Sequence, residues 1–157
     1  MGPNYFACNL TTVKITNADA MFHLGASIGA RLKVGDLLLI NGPLGAGKTL
    51  LTQGIGQALG ITGITSPTFV ISRVHEGKIP LIHVDAYRLT QSSNSNYLLD
   101  DLDLDAQRES AITIIEWGGS ESARLSDERL EITIEIIEDE RIVSATGLGA
   151  RWDGFSL

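Results

Sequence analysis

The sequence predicts an α/β protein of three layers: a mostly parallel central sheet, helices packed on it, and antiparallel strands at its edges. Three observations lead there. Residues 37–40 and 111–115 are short, unbroken apolar runs, the form taken by strands buried on both faces. Apolar residues at helical spacing precede and follow the first run. Farther on, Leu130, Ile132, Ile134 and Ile136 alternate with Glu131, Thr133 and Glu135, the mark of a strand with one wet face.

A length of 157 residues suits a single domain, with its core over about residues 10–146. Twelve basic against 19 acidic residues give a net charge of −7. That balance argues against nucleic-acid binding through the general surface, because such affinity comes largely from Lys and Arg neutralising phosphates. Any contact with RNA is therefore expected to be local or through a partner. Cys8 is the only cysteine, which excludes an intrachain disulfide or a cysteine metal cluster and agrees with a reducing compartment. Residues 1–12 lack a basic stretch followed by an apolar one, and no apolar run approaches a membrane span. A cytoplasmic protein with no membrane contact is expected.

Along the chain, residues 11–16 alternate with Val13 and Ile15 on one face, which predicts a short half-exposed strand. Thr16 or Asn17 can cap the next helix, since either side chain accepts from its free N–H groups. That helix is expected to run to about Leu32, burying Met21, Leu24, Ile28 and Leu32. Residues 33–36 turn the chain into the central strand.

After that strand comes Gly42-Pro43-Leu44-Gly45-Ala46-Gly47-Lys48-Thr49, which fits the phosphate-loop pattern G-x-x-x-x-G-K-[ST] at every required position. Glycines let the backbone wind so that successive N–H groups point at phosphate oxygens where a Cβ would obstruct. An ATP or GTP site is expected here, with Leu44, Gly45, Ala46, Gly47 and Lys48 around the phosphates. Lys48 supplies a positive charge for the β- and γ-phosphates, and Thr49 offers a hydroxyl to Mg²⁺. The helix that follows presents its dipole to the anion. Its expected stripe is Leu51, Ile55, Ala58 and Leu59, with Gly60 as the stop.

Residues 61–69 carry loop-forming residues. Ser66 and Thr68 either report on Mg²⁺ or the γ-phosphate, as switch loops do, or form a turn stiffened by Pro67. Residues 70–74 and 79–84 predict a hairpin around residues 75–78. Its second strand, Leu81-Ile82-His83-Val84-Asp85, ends in a carboxylate, the form of a Walker B acid that holds a metal or its water. His83 shares a face with Asp85, as a hydrogen-bonded core residue or a catalytic one, and Tyr87 and Arg88 follow. Asp100-Asp101-Leu102-Asp103-Leu104-Asp105 fails as a calcium loop, since Ala106 stands where glycine is needed and Ile112 where a bidentate glutamate is. An acid-rich helix start is expected instead.

The apolar run at 111–115 also ends in a carboxylate, Glu116, followed by Trp117 as a site wall or a packing residue. If this strand lies parallel to residues 37–40, Glu116 emerges at the phosphate-loop edge, where open α/β sheets bind ligands. Of Asp85 and Glu116, one can position water while the other enters the Mg²⁺ shell; spacing does not assign which. Residues 138–141 turn the alternating strand into an antiparallel one at 142–146, and residues 147–157 show no clear element.

The phosphate loop, Ser66-Pro67-Thr68-Phe69, His83-Val84-Asp85-Ala86-Tyr87-Arg88-Leu89 and Ile115-Glu116-Trp117, in this order, resemble the small bacterial ATPase family TsaE (YjeE) of tRNA threonylcarbamoyladenosine biosynthesis. The resemblance covers roughly residues 10–146. It implies an ATPase acting with TsaB and TsaD, which modify the adenosine beside the anticodon, so that tRNA is met only through the complex. It further implies Thr49 and Glu116 as Mg²⁺ ligands, Asp85 in the Walker B place, residues 66–68 as the switch-like segment, and Arg141 near the nucleotide. Pro43, where the family commonly has an acid, and Gly118, where proline is common, depart from its pattern without removing a chemical group. A small-molecule kinase would share the loop, the metal and an acid, but no arginine-rich lid stands out. A GTP switch would want Asn-Lys-x-Asp and Asp-x-x-Gly, and neither is present. A nucleotide-dependent scaffold with little hydrolysis of its own is a third possibility.

Overall fold

Seven strands form one sheet in the computed structural model, which describes residues 9–65, 72–86, 107–116 and 122–157. In chain order they are β1 (Asn9–Ile15), β2 (Leu37–Asn41), β3 (Ser72–His75), β4 (Leu81–Asp85), β5 (Ile112–Glu116), β6 (Arg129–Ile137) and β7 (Glu140–Leu148). Helix α1 (Ala18–Gly29) lies between β1 and β2, and α2 (Lys48–Ala58) follows β2. The spatial order is β1-β7-β6-β2-β5-β4-β3. The four central strands, β6, β2, β5 and β4, run parallel, while β7 and β1 on one side and β3 on the other add antiparallel edges. The expected mixed α/β sheet is thus observed.

Alternation sorts the central strands between two cores. Leu38, Ile40, Ile112, Ile114, Leu130 and Ile132 face the two helices. Leu37, Leu39, Ile82, Val84 and Ile115 form a cluster on the opposite face, with Ala123 and Leu125 packed against it. Both described helices therefore lie on one side of the sheet.

Asn17 caps α1, its Oδ1 accepting from the Ala20 N–H at 2.8 Å, which frees Thr16 from that role. The helix ends at Gly29, three residues short of the expected Leu32, although Met21, Ile28 and Leu32 are buried. Helix α2 stops as expected at Gly60, whose φ of 73° allows the Ile61 N–H to reach the Gly56 carbonyl at 2.8 Å. Ala58 of its predicted stripe is exposed. The two helices meet backbone to backbone. A Cβ on Gly25 would collide with the Leu51 carbonyl, one on Gly54 with the Phe22 carbonyl, and one on Gly29 would lie 2.6 Å from the Ile55 carbonyl. The glycine spacing, not the apolar stripe, sets this approach.

The strand at 79–84 begins later than expected, at Leu81. Pro80 cannot donate to a ladder, and its carbonyl instead accepts from Ile112 N–H at 2.9 Å. Ile136, expected inside, is 40% exposed. The pairing of β2 with β6 ends at Asn41 and Thr133, so the last four residues of β6 overhang the sheet's centre.

The core also extends beyond residue 146. β7 runs to Leu148, a short 3-10 turn follows at Ala150–Trp152, and Trp152 is buried in the helix-side core. Beside it, Arg151 clamps the buried Asp36 carboxylate with Nε at 2.9 Å and Nη2 at 2.7 Å, and Asp36 also accepts from Lys33 N–H at 2.7 Å. Arg31 lies over the Phe155 ring and donates to the Ser156 carbonyl at 2.6 Å. The tail thus staples the end of α1 to the start of β2.

Gly54→Ala is expected to cost about 3 kcal/mol of stability through overpacking against the Phe22 carbonyl. Urea unfolding checks this, with the midpoint falling and the slope unchanged. Arg151→Met should cost about 2 kcal/mol by leaving Asp36 buried without its cation, and adding Asp36→Asn should recover part of the loss.

Candidate nucleotide-binding site

Every central strand delivers its C-terminal end to one edge of the sheet, and β1, antiparallel to β7 as β7 is to β6, ends there too. At this edge β2 passes into the phosphate loop. Gly42 lies so close to β6 that a Cβ would be 2.9 Å from the Ile134 carbonyl. Gly45 and Gly47 hold φ of 79° and 106°, backbone that L side chains rarely adopt. Gly47 is the N-cap of α2 and offers no side chain to its free N–H groups. Leu51 N–H, on the Gly47 carbonyl at 2.9 Å, makes the first bond within the helix. The preceding amides, from Lys48 to Leu50, have no helical carbonyl behind them, the arrangement at a helix start that suits an anion.

Lys48, on the first turn of α2, is 7% exposed, and its Nζ donates to the carbonyls of Gly42 at 2.8 Å and Pro43 at 3.0 Å. Burial lowers its pKa, while the carboxylates of Glu116 and Asp85 oppose that shift. Thr49, next on the helix, is half-buried. Ala46 is buried under the loop, and Leu44 projects from its tip at 92% exposure.

The two acids arrive in register. Asp85 pairs with Glu116 across β4 and β5, and Glu116 with Ile40 across β5 and β2. Since Leu81, Ile112 and Ile114 face the helices, alternation puts His83, Asp85 and Glu116 on that same face, the side of α2 and Lys48. Glu116 is 3% exposed and meets fully buried His83, Nε2 to Oε1, at 3.1 Å. Asp85 is half-buried.

Arg141, the second residue of β7, lies opposite Ile15 of β1, and its Nη2 donates to the Gly45 carbonyl at 3.4 Å. A cleft of about 210 Å³ runs from the phosphate loop between β1, α1 and the β6–β7 turn, lined by Asn17, Met21, Gly45, Leu50, Asp139 and Arg141. In the sequence Asn17 reads as a cap, Met21 as core and Asp139 as part of a turn. No motif marks them as lining residues, because the cleft is made by β1 pairing with β7.

Thr68, with Ser66, Tyr87, Arg88, the acid run at 100–105 and Trp117, lies outside the described residues. Hydroxyl and carboxylate oxygens at Thr49, Asp85 and Glu116 form the hard donor set that suits Mg²⁺. Among the described residues no three His, Cys, Asp or Glu side chains gather as a metal site of their own. No helix among the described residues is long and apolar enough to cross a membrane.

Residues 15–143 match the family model described as "Threonylcarbamoyl adenosine biosynthesis protein TsaE". The chain is 43% identical over 142 residues to the tRNA threonylcarbamoyladenosine biosynthesis protein TsaE of Streptomyces coelicolor, covering 84% of this chain and 93% of that one. A protein of the same name from Bacillus subtilis is 39% identical over 125 residues, 77% of this chain and 75% of the relative. A crystal structure of Bacillus subtilis YdiB superposes with a TM-score of 0.77 at 31% identity, covering 93% of this chain and 90% of that one.

Proposed function

The chain belongs to the TsaE family, and from that membership together with the edge just described we propose that it binds and hydrolyses ATP with Mg²⁺ in support of tRNA threonylcarbamoyladenosine biosynthesis. The biosynthetic role is carried by the relatives' shared name. The ATPase reading is carried by one observation: Asp85 and Glu116 stand side by side on the face where Lys48 is buried.

In this reading the loop amides from Leu44 to Thr49 take the phosphates, and Lys48 exchanges two carbonyl acceptors for charged phosphate oxygens, which bind an ammonium more strongly. Thr49 and Glu116 would hold Mg²⁺, which would supply neutralisation of phosphate charge. Asp85, less buried than Glu116 and beside it in register, is assigned the orientation of the attacking water. The cleft lined by Asn17, Met21 and Asp139 takes the nucleoside, and Arg141 secures the loop beside it. Thr68 is assigned the switch-like contact with the γ-phosphate. TsaB and TsaD are the proposed partners in the cytoplasm, and the net charge of −7 favours meeting tRNA through them.

Lys48→Ala should weaken ATP binding about 100-fold, the loss of roughly 3 kcal/mol of charge-assisted contact, as read by calorimetric titration. Glu116→Ala should lower Mg²⁺-dependent hydrolysis far more than nucleotide affinity. The reverse pattern would remove Glu116 from the metal shell. The purified chain is expected to hydrolyse ATP slowly alone and faster with TsaB, TsaD and tRNA, with modified adenosine as product. Phosphate transferred to a small metabolite instead would favour a kinase.

A further inference from the structure

We infer that His83 is a positioning residue for Glu116: its Nε2–H fixes one carboxylate oxygen. The inference rests on the reading of Glu116 as a metal ligand. An ionised carboxylate only accepts, so at 3.1 Å the proton between them belongs to His83 Nε2. That leaves His83 Nδ1 fully buried and, among the described residues, without a hydrogen-bond partner.

The same is true of His75 Nε2. His75 pairs with Leu81, and Arg73 with His83, so His75 is the diagonal neighbour of His83 on the same face of the sheet. The ring centroids are 6.3 Å apart at 36°. Left bare, each buried nitrogen would cost about 1–3 kcal/mol. Burial, with His83 and Arg73 adding to it, lowers the His75 pKa.

A fully buried histidine that donates to Oε1 restricts the rotation of the carboxylate it holds and commits that oxygen to the protein. Outer partners of this kind are typically worth 10- to 100-fold in metal affinity. A merely structural core histidine would affect stability and leave metal affinity alone.

The test uses the full chain with a non-hydrolysable ATP analogue and Mn²⁺ followed by electron paramagnetic resonance. His83→Phe is expected to weaken Mn²⁺ about tenfold while metal-free nucleotide affinity stays within about twofold. His83→Gln, which keeps an N–H donor, should recover most of the loss. Unchanged Mn²⁺ affinity in His83→Phe, or equal losses in both variants, overturns the proposal. Nitrogen NMR of the unsubstituted chain gives a readout that needs no folded variant: His83 is expected as the Nε2–H tautomer, and the Nδ1–H tautomer overturns it. Glu116→Gln separates the two levels: if it leaves Mn²⁺ binding intact, the metal-ligand reading falls. If it weakens Mn²⁺ and His83→Phe does not, only the positioning role falls.

Discussion

The parallel register of β2, β5 and β4 is the constraint on which the site depends. Ile40, Glu116 and Asp85 lie in one row across three strands. A slip of one residue in β5 would carry Glu116 to the far face, away from Lys48, because side chains alternate along a strand. The same slip would drive Ile112 and Ile114 out of the helix-side core and replace them with Thr113 and Ile115. Packing and chemistry are therefore enforced by one choice of register. The core cannot be right while the acids are misplaced.

Around that row the molecule concentrates groups that burial disfavours. An ammonium, a carboxylate and an imidazole, on Lys48, Glu116 and His83, are all nearly inaccessible. Each is tolerated because partners are near: loop carbonyls for Lys48, the carboxylates that favour its charge, and the histidine on Glu116. Backbone strain sits at the same edge. Among the described residues Glu138 is the one non-glycine with positive φ, 55°, next to Asp139 at the mouth of the cleft. Such a residue costs on the order of 1 kcal/mol and persists only where its surroundings determine it. Here the surroundings are the long β6–β7 ladder on either side of the turn.

The central sheet was legible because its signals are local. An unbroken apolar run, a glycine-rich loop and a carboxylate at a strand end can each be read from fewer than ten residues, and they led to Lys48, Thr49, Asp85 and Glu116. What escaped needs two distant segments at once. Gly25 and Gly54 look like weak helix residues until each is seen against the other helix's carbonyl. Asp36 looks like a strand start until Arg151, 115 positions later, closes on it. The tail at 147–157 has no period, since a 3-10 turn anchored by Trp152 is defined by what it packs against. Asn17 and Met21 do have a local role, and that role hid their place in the cleft.

The missed contacts share a consequence for how the site works. Arg151 on Asp36 fixes β2 at its beginning, and the glycine contact of α1 with α2 fixes the helix that leaves the loop. The phosphate loop is thus held from behind by both the strand that enters it and the helix that leaves it. Its tip is different: Leu44 is almost wholly exposed, and the Lys48 ammonium is held by carbonyls rather than by an immovable core contact. With stiffness behind and exchangeable polar bonds in front, a phosphate bound as proposed would have only to replace the carbonyl acceptors of Lys48 and dock on a loop already braced. Little ordering would then oppose the binding, the physical meaning of a preorganised site.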